Sequence, residues 1–255
     1  MNINHENFLK MKTRVRNYLL AIIAAFPFLL VSCEDGLFFG IVGEGEIVQA
    51  TLDVDEFDGF VSTIAADVYV SQGDDFEVVM EAQENIIDNM DLDWVRNGTW
   101  TIKYFHWVKN SKPVKIYITV PELRKVSLSG SGEIRGETPF VTDGKLYINI
   151  SGSGRIDIDA EADEMDVNIS GSGDIYLAGY TDFLDCTISG SGGIFAYDLM
   201  AKTANVHISG SGDTRVSVED YLEATISGSG SVFYHGTPAI DSHISGSGII
   251  KKVNN

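Results

Sequence analysis

Cysteine, proline and basic residues are all scarce in this 255-residue chain, and each scarcity removes a class of answer. Two cysteines, Cys33 and Cys186, can build neither a disulfide framework nor a CxxC metal site. Lysine and arginine together number 18 against 37 Asp and Glu, so the clustered positive charge that nucleic-acid binding needs is missing. The longest apolar run, Tyr18–Val31, is interrupted by Pro27 and is too short for a membrane span. The first 32 residues hold four bases and one acid; without them 14 bases face 36 acids, a formal charge of 14 − 36 = −22. Apolar residues still make up 44%, so this acidity belongs to a solvated surface and not to a disordered chain.

What the chain has in abundance is one tetrad. Ser-Gly-Ser-Gly begins at Ser129, Ser151, Ser170, Ser189, Ser209, Ser227 and Ser245, in steps of 22, 19, 19, 20, 18 and 18 residues. A period near twenty is the mark of a solenoid, in which each repeat is one coil stacked on the last. Before each tetrad stands an apolar residue: Leu128, Ile150, Ile169, Ile188, Ile208, Ile226 and Ile244. Two positions earlier lie Val126, Ile148, Val167, Cys186, Val206, Ala224 and Ser242, with a polar residue between the two columns each time. That alternation is the period of a strand buried on one side. After the tetrad, Ile134, Ile156, Ile175, Ile194, Thr214, Val232 and Ile250 open another inward column. The pattern predicts an all-β parallel β-helix of about 18–22 residues per coil. At roughly 4.8 Å per coil, the six steps span roughly 29 Å. Cys186 falls in an inward column and reads as a small buried hydrophobe.

The N-terminal residues read as a signal peptide over 1–32, with bases up to Arg16 followed by the apolar run. Leu30-Val31-Ser32-Cys33 resembles the lipobox of bacterial lipoproteins, which implies cleavage before Cys33 and a lipid anchor on it. The other reading is an ordinary secretory signal that ends near a cysteine. Glu34 and Asp35 resemble the acidic export signals of surface lipoproteins in the Bacteroidetes. Residues 33–45 then serve as the lipidated cysteine and a tether.

Residues 46–122 read as an N-terminal β region continuous with the solenoid, and 123–255 as the repeat β-helix. Expected strands are 47–54, 60–65, 68–71, 76–82 and 114–120, with a helical turn over 84–90. Asn97-Gly98 supplies the two positive-φ positions of a hairpin turn between 94 and 102. Trp94, Trp100 and Trp107 cluster here as a candidate aromatic patch: either a sugar or peptide platform, or a seal over the lower end of the core. At the other end Ser242, Lys251 and Lys252 interrupt the columns, as charged residues do where a solenoid stops.

Val68-Tyr69-Val70-Ser71-Gln72-Gly73-Asp74, Glu84-Asn85-Ile86-Ile87, Thr119-Val120-Pro121-Glu122-Leu123 and the first tetrad resemble the head GIN domain family of auto-transporter adhesins, common among Bacteroidetes lipoproteins. The resemblance covers roughly residues 57–253. It implies a β-helical protein of the cell envelope and brings no catalytic residues with it; with the lipid anchor at Cys33 the expected location is the outer membrane.

The most regular outward column is Ser127, Asn149, Asn168, Thr187, His207, Thr225 and His243, a candidate binding column for a surface polysaccharide or a protein. His207 and His243 are two coils apart, roughly 10 Å, too far to share a zinc ion. No tetrad is followed by the Lys-Ser/Thr of a phosphate loop. The position after the tetrad carries aspartate in only two coils of seven, so no calcium ladder forms and neither metal nor cofactor is expected. The alternative from another class is an envelope polysaccharide hydrolase or lyase using Asp157, Asp159, Asp174 or Asp213, which would need two carboxylates facing across a groove. Short, even coils leave no insertion to wall such a groove. The expectation is a non-catalytic binding or structural module, with oligomeric state open, including stacking through the end coils.

Overall fold

The computed structural model describes residues 40–254. Cys33 and the signal segment lie outside those residues. In chain order the elements are β1 (Ile41–Val42), β2 (Ile47–Thr51), β3 (Gly59–Ser62), β4 (Asp67–Gln72), β5 (Glu77–Gln83), the helical turn α1 (Glu84–Ile87), β6 (Val95–Arg96), β7 (Thr99–Ile102), β8 (Val108–Asn110) and β9 (Lys115–Val120). The tetrad region follows with β10 (Lys125–Gly130), β11 (Glu133–Gly136), β12 (Phe140–Gly152), β13 (Arg155–Gly171), β14 (Asp174–Gly190), β15 (Gly193–Gly210), β16 (Asp213–Gly228), β17 (Ser231–Gly236), β18 (Ala239–Gly246) and β19 (Ile249–Lys252).

A straight strand as long as β13, 17 residues, would reach roughly 56 Å at about 3.3 Å per residue. Instead each of its ends pairs in parallel with the residue nineteen places on, Arg155 with Asp174 and Gly171 with Gly190. The chain therefore closes one winding and starts the next directly above it. This is a parallel β-helix. The run ending in each tetrad forms a broad face, and the run after it forms a second face.

Inward rows fill the interior. Leu128, Ile150, Ile188, Ile208 and Ile226 are fully buried, as are Val167, Cys186, Val206 and Ala224 beside them. Each leucine, isoleucine or valine among them contributes roughly 1.5–3 kcal/mol on burial. The tetrads pile up as corners. The third tetrad residue donates its N–H to the first glycine carbonyl of the coil below, from Ser153 to Gly130 (2.9 Å) through Ser247 to Gly228 (2.9 Å).

The base departs from chain order. β10 stacks on β3 and β11 on β4, while β7 and β9 lie beneath that coil. The coil of residues 99–120 thus precedes the first tetrad in sequence yet sits one step further from it than the coil of 59–72. Below β9 come β5 and then β2, both antiparallel. The hairpin β6–β7 turns at Asn97 and Gly98, both at positive φ. Ile41 and Val42, assigned to the tether in the sequence reading, instead pair as β1 with β8 and belong to the folded body. The partly buried Ile41 side chain and main-chain bonds, Ile41 N–H to the Trp107 carbonyl (2.9 Å) and Gly43 N–H to the Asn110 carbonyl (2.8 Å), hold the chain there. Among the described residues no helix is long and apolar enough to cross a membrane.

Candidate functional site

The broad face presents rows of side chains in register. In the candidate column Ser127 lies under Asn149, then Asn168, Thr187, His207, Thr225 and His243 follow, one per coil. The row continues downward through Val61 to Thr101. Its exposure is graded. His207 and His243 are exposed, and Asn149, Asn168, Thr187 and Thr225 are half-buried. Ser127 is buried at 5% exposure and drops out of the presented column, its short side chain shielded between Val61 and Asn149. As expected, Thr225 separates the two histidines.

On one side of this column runs the exposed ladder of first tetrad serines, Ser129 to Ser245. On the other run Tyr147, Asp166, Asp185, Asn205, Glu223 and Asp241. Asn168 donates to Asp166, and Asn205 donates to Asp185 across one coil at 3.3 Å. Lys145 sits 2.7 Å from Glu164 and 3.2 Å from Asp166, and its hydrogen bond to Glu164 raises its pKa. Asp185 is pushed up by burial and then by the neighbouring Asp166 charge. A shallow cleft of about 550 Å³ opens at the lower end of the face, lined by Lys125, Tyr147, Asn149, Asp166 and Asn168 among others. Its lining sets Lys125, Asn149, Asn168 and Asp166 beside the apolar surface of Val61, Ile148 and the Tyr147 ring, so the cleft is mixed in character. Among the described residues no group of three or more His, Cys, Asp or Glu could hold a metal ion.

The three tryptophans do not form one patch. Trp100 lies on the inward side of β7, fully buried against Phe57, ring centroids 5.5 Å apart. Strand alternation places it inside, so it seals core and presents nothing. Trp94 and Trp107 remain outside, 44% and 65% exposed. Lys103 holds its ammonium 3.3 Å over the Trp94 ring, while Trp107 rims a separate cleft of about 520 Å³ with Lys103, Tyr104 and His106. Burial pushes the Tyr104 hydroxyl up to about 12.

The family model described as "Putative auto-transporter adhesin, head GIN domain" matches residues 56–238. The chain belongs to the head GIN domain family. No curated protein matches it. Among solved structures it resembles a "putative adhesin" from Bacteroides fragilis, at 26% identity and TM-score 0.78, covering 84% of this chain and 100% of that one. A "putative lipid binding protein" from Parabacteroides distasonis is also 26% identical, at TM-score 0.72, with 85% and 100% covered. A "putative adhesin" from Parabacteroides merdae, 22% identical at TM-score 0.71 with 84% and 99% covered, shares the fold.

On the second face of this head GIN domain the sequence reading missed a rib. Tyr176 and Phe195 stack at 4.7 Å, Arg155 lies 3.8 Å over the free side of Tyr176, and Arg215 lies 4.6 Å over that of Phe195. Both faces of both rings are occupied, so this row stiffens the wall and offers no stacking surface to a ligand. The row Asp157, Tyr176, Phe195, Arg215 and Phe233 was a visible signal, one step outward of the isoleucine row. The four aspartates weighed as catalytic lie along the outside of that wall. Asp174 and Asp213 share a row with Gly193 between them, Asp157 binds Arg155 at 3.1 Å, and Asp159 is exposed beside Ala178. None faces another across a groove.

Proposed function

We propose that the mature protein is a non-catalytic, lipid-anchored outer-membrane protein whose β-helix acts as an adhesin-like binding or structural module. Cys33 would carry several acyl chains, each buried methylene contributing roughly 0.8 kcal/mol, which together hold a protein on a membrane. Residues 34–40 give reach, and the broad face meets a surface polysaccharide or protein. The observation that carries this reading is the in-register face of amides, hydroxyls, carboxylates and imidazoles, repeated from coil to coil, with a cleft of mixed lining at its lower end. A repeated surface of this kind matches a repeated ligand and gains affinity by multiple weak contacts. The P. distasonis neighbour's name speaks of lipid binding; here the interior is packed with aliphatic side chains, so the reading places any ligand on the outer surface.

The test is replacement of Asn168, Thr187 and Thr225 together by arginine, followed by circular dichroism and binding to glycans or whole cells. The fold should persist, since all three point outward, and binding should fall at least tenfold. Unchanged binding by a folded triple variant refutes the face as the site. Protease treatment of intact cells tests the anchored, exposed location separately.

A further inference from the structure

The two ends of the β-helix are finished differently. At the base, β2, β5 and α1 close over the core: Ile86 is fully buried, and Leu52, Val54 and Phe57 are 5–8% exposed. At the tip, β18 pairs with β16 below it and, among the described residues, with no strand above. Its inward side chains Ile240 and Ile244 are 42% and 41% exposed, although Leu222 and Ile226 directly beneath them are fully buried. An eight-residue strand with an open main-chain edge and bare isoleucines invites another strand to pair with it.

We propose that this edge is covered by the tip of a second copy of the same chain, with β18 pairing antiparallel to its twin about a two-fold axis through Ser242. The register follows from facing and charge. Residues directly opposite in an antiparallel pair share a side of the sheet, so inward residues must oppose inward residues. Centring the pair on Asp241 would set two carboxylates against each other. Centring it on His243 would oppose two imidazoles and leave Ile240 against glycine. Centring it on Ser242 sets Ile240 against the second copy's Ile244 and Asp241 against the second copy's His243, each contact made twice by symmetry. The tip also suits approach between two acidic bodies, because residues 239–254 carry one acid, Asp241, and two lysines, Lys251 and Lys252. The base also ends in a strand paired on one side only, β2, with Ile47 and Val48 each 44% exposed. A two-fold tip contact, however, uses the same edge on both copies and is closed by its own symmetry, so pairing through the tip stops at two.

β1 enters the body at the base, on the coil furthest from the tip. Tip-to-tip pairing therefore sets the two copies' β1 strands at opposite ends of the pair. If the chains are anchored through Cys33, the pair joins two opposing surfaces; this last step rests on the anchored reading, while the pairing itself does not.

The experiment is analytical ultracentrifugation of the mature chain, residues 33–255 with Cys33→Ser so that no lipid attaches. The expected mass is twice that of one chain at tens of micromolar. Asp241→Lys and His243→Asp should each weaken association about tenfold, and the double variant, which sets lysine opposite aspartate, should recover it. A wild-type chain that stays monomeric overturns the proposal, as does open-ended assembly, or a folded double variant no better than the singles. Beads coupled through the N-terminus should clump with wild type and the double variant only. A solution dimer without clumping leaves the pairing standing and removes the bridging of surfaces.

Discussion

Thr214 occupies a row that elsewhere holds Ile134, Ile156, Ile175, Ile194 and Val232, and its hydroxyl is fully buried without a partner. A hydroxyl left unpaired in an apolar interior costs about 1–3 kcal/mol. Thr214→Val keeps the shape and removes that group, so it should stabilise the protein by about 1 kcal/mol and raise Tm by about 2–4 °C in a thermal melt. The corner glycines carry the opposite lesson. Gly130 and Gly190 share a left-handed φ of 135° and 139°, but a Cβ on Gly130 meets nothing within 4 Å, whereas one on Gly190 strikes the Gly171 carbonyl oxygen. Gly130→Ala should therefore lose only the backbone strain, about 1–3 kcal/mol. Gly190→Ala should lose clearly more, because the rigid corner below it cannot yield. Equal losses in urea melts of the two variants would show that the stacking of corners contributes nothing.

At the scale of the element, the rib is where side chains from different rows cooperate. Aromatic pairs contribute about 0.5–1.5 kcal/mol beyond the area they bury, and an exposed cation over a ring about 0.5–1 kcal/mol. A double-mutant cycle on Tyr176→Ala and Phe195→Ala should return a coupling in that range, and a cycle on Arg215→Ala and Phe195→Ala a smaller one. Coupling near zero in both would reduce the rib to coincidence of register. The isoleucine rows, the corners and the outward column were legible in the sequence because each depends on one position repeated at a nearly fixed step. The rib was legible only in part: Tyr176, Phe195 and Arg215 share one repeated position, but Arg155 belongs to the row of Glu133 and Asp174 and reaches sideways to Tyr176. The fate of the tryptophans was hidden for a similar reason: alternation along β7 turns Trp100 inward, while Trp94 and Trp107 stand outside the described strands. Nor does anything in residues 59–120 announce that the earlier coil lies nearer the tetrads. Without a tetrad to index them, only the pairing of β10 with β3 and of β11 with β4 fixes which coil lies nearer.

For the whole molecule, a stack in which each coil touches only its neighbours has stability that depends on height within it. A central coil is held from both sides, and the tip coil from one. Ile188 and Ile244 stand in the same inward row with the same chemistry, yet one is fully buried and the other 41% exposed. Ile188→Ala should destabilise by about 2–5 kcal/mol through the cavity it leaves. Ile244→Ala should cost less than about 1 kcal/mol when measured dilute enough for the chain to be monomeric. Hydrogen exchange should show the same gradient, with amides of β13 to β16 protected to near the global stability and those of β18 and β19 opening far more readily. At concentrations where two tips meet, protection should rise selectively in β18, and the loss from Ile244→Ala should grow with it, because the same side chain then lies in an interior shared by two chains.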